Sequence, residues 1–163
     1  MTLPFPDQPE YGVSPLHVMA SMSGLEFVRG LFDGTLPAAP IMQPIEPFGL
    51  EAEKGRVSFS SRPLLRHYNP IGSVHGGYAA TLLDSAMSLA VQSTLDKGWG
   101  YTTLEFKISF IRAITADNGP IRSEGWIINA GRRIATAEGH IKDEKGRVLS
   151  HATTTCLVFE LPK

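Results

Sequence analysis

The spacing of apolar residues changes character along this chain, and each change predicts an element. Across residues 77–95, Ala79, Ala80, Leu82, Leu83, Ala86, Met87, Leu89, Ala90 and Val91 leave almost no polar side. That pattern predicts a helix buried all round rather than one lying on a surface. Over residues 101–112 the period drops to two: Leu104, Phe106, Ile108 and Phe110 alternate with Thr103, Glu105, Lys107 and Ser109. This predicts a strand with one core face and one wet face. Further strands are expected at 121–130, 133–142 and 147–159, separated by Asn118-Gly119-Pro120, Gly131 and Glu144-Lys145-Gly146. Connections this short imply an antiparallel meander. Residues 49–61 alternate around Lys54-Gly55 and read as a hairpin. A long buried helix and a meander that must cover it give an α+β domain whose sheet curls around the helix.

The first 47 residues behave differently. Pro4, Pro6, Pro9, Pro15, Pro37, Pro40, Pro44 and Pro47 interrupt any long element. Ser14 before Pro15, and Ser23 with Glu26 three positions on, mark helix starts, the second a capping box, with Gly34 as a stop. One or two short helices are expected, packing through Leu25, Val28, Leu31 and Phe32. The chain of 163 residues is thus expected to be a single domain, with an N-terminal helical extension over 1–47 and a core over 48–163.

Composition narrows the function. A net charge of −1 and no basic run argue against nucleic acid or an anionic membrane as partner. No apolar stretch reaches the roughly 18 to 20 residues of a membrane span. The single cysteine, Cys156, cannot form an internal disulfide, and the first residues lack the pattern of a signal peptide, so the cytoplasm is the expected compartment. His17, His67, His140 and His151 lack ligand spacing, and no metal is expected. No serine lies in a Gly-x-Ser-x-Gly elbow, and Cys156 in an alternating strand reads as a core thiol.

What remains is a carboxylate and a turn. Asp84 is the only charged residue in the apolar helix, and burying it without partners would cost several kcal/mol. Just before the helix runs Asn69-Pro70-Ile71-Gly72-Ser73-Val74-His75-Gly76-Gly77. A helix start leaves its first N–H groups free and at the positive end of the dipole, and Gly76 and Gly77 let a substrate approach them. Donors so placed can stabilise negative charge developing on a carbonyl oxygen. Asp84, about two turns on, could attack the carbonyl or activate water. Ser88, four residues later, shares its helix face and could orient it. Each feature also has a plain reading: His-Gly-Gly as a turn, Asp84 as a structural acid, Asn69-Pro70 as a turn initiator, Ser88 as an ordinary helix hydroxyl.

Asn69, Gly72, His75-Gly76-Gly77 and Leu83-Asp84 together resemble the signature of hotdog-fold acyl-CoA thioesterases of the phenylacetate-pathway type, relatives of the 4-hydroxybenzoyl-CoA thioesterases. The resemblance covers about 49–159 and leaves the extension unexplained. It implies a curved antiparallel sheet around a central helix, Asp84 as nucleophile or general base, and the Gly76 N–H as oxyanion donor. It implies that His75 supports the turn, that Asn69 holds water or substrate, and that Thr103, on the wet face of its strand, supplies a hydroxyl. It also implies a dimer paired through sheet edges, commonly doubled to a tetramer, each site combining one chain's turn with the other's carboxylate. The substrate would be an aromatic or medium-chain acyl-CoA, with no metal or redox cofactor; Arg132 and Arg133 are the candidates for the CoA phosphates. A hydratase or dehydratase of the same fold, with Asp84 and His75 as acid and base, and a non-catalytic acyl-CoA binding module are the alternatives.

Overall fold

In the computed structural model, which describes residues 9–162, six strands form one antiparallel sheet. Residues 1–8, with Pro4 and Pro6, and Lys163 lie outside the described residues. The strands are β1 (Phe48–Glu53), β2 (Arg56–Ser61), β3 (Trp99–Phe110), β4 (Ile121–Ala130), β5 (Ile134–Asp143) and β6 (Val148–Glu160). Their order across the sheet is β1-β2-β4-β5-β6-β3, so β1 and β3 are the edges. The helices are α1 (Leu16–Ser21), α2 (Gly24–Asp33) and α3 (Gly76–Gln92).

The sheet curls around α3, which packs against β2, β3, β4, β5 and β6. Leu82, Leu83, Ala86, Met87, Ala90 and Val91 are fully buried, as a helix without a polar face requires. Close approach depends on small residues in the sheet. A Cβ on Gly125 would lie 2.5 Å from the backbone of Ala86 and Met87. Gly125→Ala is therefore expected to force helix and sheet apart and destabilise the fold by about 1–3 kcal/mol, read as a lower denaturant midpoint.

The extension follows its local signals. Ser23 caps α2 with the reciprocal bonds of a capping box to Glu26, and Gly34 ends the helix in the left-handed region at φ 85°. Val28 and Phe32 enter the core, while Leu25 and Leu31 are half-buried. Gly24 holds α2 against the end of α3, because its N–H donates to the Leu95 carbonyl (2.9 Å) and a Cβ there would collide with the Gln92 carbonyl.

One strand departs from its pattern. The β3–β6 register pairs Thr103 with Cys156 and Glu105 with Thr155, which makes Leu104 an extra, bulged residue. Cys156 and Thr154 are buried on the helix side, so their partners Thr103 and Phe106 face that side too. Thr103 therefore lies on the inner face, not the wet one, and Leu104, expected in the core, is 55% exposed. Strict alternation cannot hold across an inserted residue. Beyond the bulge Phe106 and Phe110 keep the expected face yet stay 37% and 58% exposed, because β3 is an edge and nothing among the described residues covers it.

Candidate active site

Asp84 sits on α3 at the wall of a cavity of about 630 Å³. It is half-buried, and its surroundings explain how an apolar helix tolerates it. One carboxylate oxygen, Oδ1, accepts from Ser88 Oγ (3.2 Å) and from Thr103 Oγ1 (3.1 Å); the two hydroxyls are 3.1 Å apart. The other oxygen, Oδ2, has no partner among the described residues. Each hydroxyl carries one hydrogen, and both Ser88 and Thr103 place theirs on Asp84. Tyr101, also on β3, lines the same cavity wall. Burial, and then the charge of Asp84, push the Tyr101 phenol well above its ordinary range, so it stays neutral beside the carboxylate. The carboxylate is held by one edge and open on the other.

Tyr101 was not singled out by its sequence position. Nothing in an alternating strand distinguishes it; only the fold places it beside Ser88. Cys156, opposite Thr103, is fully buried, and burial raises its thiol pKa, so it is a poor nucleophile.

The turn lies at the other end of the helix. His75 is the N-cap, and its Nδ1 accepts from the Gly77 N–H at 2.8 Å. That bond occupies the Nδ1 lone pair, so the neutral ring carries its proton on Nε2. The Gly77 N–H is thereby spent, whereas the Gly76 N–H has no acceptor among the described residues. The Phe110 ring rests on Gly76, where a Cβ would come within 2.9 Å of it. Asn69 holds its own loop: its carbonyl oxygen accepts from Ile71 N (3.1 Å) and Ser73 N (3.2 Å), and its amide donates to Ser73 Oγ (3.0 Å). These bonds realise the turn role that Asn69-Pro70 suggests. The loop is further pinned by Val74 N to Ile114 O and His75 N to His67 O, both 2.8 Å, with His67 stacked on Tyr78 at 4.3 Å.

The fold thus joins Asp84, Ser88 and Thr103 but keeps them apart from Asn69, His75, Gly76 and Gly77. Gly76 and Asp84 are eight positions apart (84 − 76) on one continuous helix, or about 12 Å at 1.5 Å per residue. One carbonyl cannot meet both within a single chain. Arg132 and Arg133 are exposed at the β4–β5 turn. The register aligns Ala135, Cys156 and Thr103 in a row, so Ala135, two residues past Arg133, lies two strands, about 10 Å, from Thr103. Among the described residues no group of three or more His, Cys, Asp or Glu could hold a metal, and no helix is long and apolar enough to cross a membrane.

Residues 71–150 match the family model of the thioesterase superfamily. A Halobacterium salinarum protein whose name proposes an esterase is 34% identical over 77 residues, 46% of this chain and 49% of that one. The match therefore spans only about half the length of this curated relative. The fold is also that of a phenylacetic acid degradation-related protein of Ralstonia eutropha, with a TM-score of 0.72 at 24% identity over 83% of this chain and 99% of that one. A Streptococcus pneumoniae structure described as a hypothetical thioesterase with coenzyme A superposes with a TM-score of 0.64 at 26% identity, covering 73% and 91%. The matched segment contains the His75 turn, all of α3 and β3 through β5, the elements that carry the site. Residues 71–150, about half of this chain, thus carry the likeness to the thioesterase superfamily, and the curved sheet around α3 is the hotdog fold.

Proposed function

We propose that the protein is an acyl-CoA thioesterase that works as a dimer, the Gly76 N–H of one chain and Asp84 of the other converging on a single thioester. The observation that carries this reading is the Asp84 carboxylate, with Oδ1 fixed by two hydroxyls and Oδ2 free on an apolar cavity. A carboxylate so held is oriented for one task at its free oxygen: attack on the carbonyl or removal of a proton from water. The developing oxyanion takes the free N–H at the positive end of α3, and CoA leaves as a thiolate, which needs little acid assistance.

The dimer follows from two features. The separation of about 12 Å leaves each chain with two halves of a site that cannot meet. The edge strand β3 is twelve residues long and exposes Leu104, Phe106 and Phe110 beside its unpaired backbone, an edge that favours pairing with a second copy. The same edge carries Thr103 and lies beside the Gly76 turn through Phe110. We read Arg132 and Arg133 as contacts for the CoA phosphates, an aromatic or medium-chain acyl group as the occupant of the cavity, and the enzyme as cytoplasmic and free of metal or redox cofactor. Doubling of the dimer to a tetramer is in keeping with the resemblance.

The test is thiol release from a panel of aromatic and straight-chain acyl-CoAs. Turnover of at least one ester, with free CoA equal to acid formed, is the expected result. A change in enoyl absorbance without free thiol would move the assignment to a hydratase, and tight binding without either product would leave a binding module.

A further inference from the structure

His67 has no part in the chemistry above, yet it is buried, at 8% exposure, against the turn that carries the Gly76 N–H. It ends the short 3₁₀ turn Leu65–His67, two residues before Asn69. Its ring is held from three directions. Nδ1 accepts from the Leu64 N–H (3.0 Å), so the neutral ring carries its proton on Nε2, which donates to the Pro44 carbonyl (2.8 Å). The flat of the ring stacks on Tyr78 of α3, and the Tyr78 hydroxyl is itself bonded to the buried Ser61 Oγ of β2 (3.0 Å). Arg66 reaches the same Pro44 carbonyl through Nε (3.4 Å) and pairs with Glu46 (2.7 Å). Pro44 belongs to the extension, just after the 3₁₀ turn Pro40–Met42 that lines the cavity beside Asp84. His67 is thus where the extension, α3 and the loop before it meet.

The backbone of His67 carries the restraint onward. Its carbonyl accepts from the His75 N–H (2.8 Å), and the Gly77 N–H is taken by His75 Nδ1 (2.8 Å). The unpartnered Gly76 N–H therefore lies between two fixed N–H groups. Peptide planes are rigid, so holding one on either side leaves that donor little freedom to swing. An oxyanion donor works only if its direction is set before the charge develops, and a misplacement of about 1 Å can cost on the order of a hundredfold in rate. A phenylalanine in place of His67 would stack on Tyr78 equally well, but it could neither cap Leu64 nor reach Pro44.

Resting on the reading of the Gly76 N–H as oxyanion donor, we propose that His67 is a positioning residue for it. The ring ties the loop to the extension and to α3, and the carbonyl passes that restraint to His75 and so to Gly76. Pro44 and His67 both precede the matched residues 71–150. The extension thereby acts on the chemistry without touching the reacting carbonyl.

The test measures kcat and KM for the ester turned over fastest, and amide hydrogen exchange at His75, in the wild type and in His67→Phe, His67→Asn and His67→Gln. Phenylalanine keeps the stack and loses both nitrogens; asparagine offers Leu64 an acceptor but falls short of Pro44; glutamine can still donate to Pro44. His67→Phe and His67→Asn are expected to lower kcat by about ten- to a hundredfold with KM nearly unchanged, and His67→Gln to restore most of it. In a Gly76→Pro chain, which lacks the donor, His67→Phe is expected to cost no more than about twofold further. Exchange at the His75 amide is expected to quicken by about tenfold or more in His67→Phe, while the amides of residues 83–91 keep wild-type rates. Should His67→Phe fail to fold, His67→Asn carries the same expectations. Undiminished kcat in His67→Phe and His67→Asn, a loss that adds fully to that of Gly76→Pro, or exchange that rises along the whole of α3 would each overturn the proposal. No thiol release from any ester by the wild type, with His75 exchange still governed by His67, would instead overturn the thioesterase reading and leave the restraint on the turn standing.

Discussion

Asp84→Asn is expected to lower kcat by about 10²- to 10⁴-fold while KM changes little. The argument is geometric. Asparagine keeps an oxygen where Oδ1 accepts from Ser88 and Thr103, so the side chain stays in place. What it loses is the charged Oδ2, the only oxygen of the group free to act on a substrate. The variant should fold as the wild type does and bind acyl-CoA normally, and thiol release under saturating substrate reads the loss. Retained turnover would mean that the carboxylate serves only to order Ser88 and Thr103.

The other half of the site can be removed at a single hydrogen. Gly76 is the first residue of α3, a position that tolerates proline because its N–H has no intrahelical acceptor. His75, the residue before it, has φ −59° and ψ 136°, the extended conformation that a following proline requires. Gly76→Pro therefore deletes the proposed oxyanion donor without breaking the helix. A Cβ at this position meets the outer end of the Phe110 ring, so any substitution here displaces that ring. Gly76→Ala adds the same Cβ and keeps the N–H, so it isolates the steric effect. The proline variant is expected to lose about 10²- to 10³-fold in kcat, and the alanine variant only a few-fold. Equal losses in the two would assign the defect to Phe110 rather than to the missing donor.

These variants also mark what the amino-acid sequence makes legible. α3 could be read because burial on every side leaves a continuous apolar run, and Asp84 stood out against it. The capping box at Ser23 and Glu26 could be read because its two bonds are local. The β3 strand could be placed, but not its phase: the bulge at Leu104 turns Thr103 inward, and a bulge answers to the partner strand rather than to any pattern along its own. The exposed Phe106 and Phe110 show the converse, a core-type alternation with no cover among the described residues. Tyr101 carries no local signal: its place on the cavity wall depends on strand order and on which face of α3 meets that strand. Asn69 was legible as both a turn former and a site residue; its bonds to Ile71 and Ser73 account for the first.

The central claim is that each working site is assembled from two chains. Co-expression of Asp84→Asn and Gly76→Pro chains carrying different tags, followed by purification through both tags, tests it directly. In such a mixed dimer one site combines the undamaged turn of the first chain with the undamaged carboxylate of the second, while the other site carries both lesions. Recovery of roughly half the wild-type thiol release per dimer is the predicted result. A doubly tagged dimer as inactive as either parent variant would contradict it and return both halves of the site to a single chain.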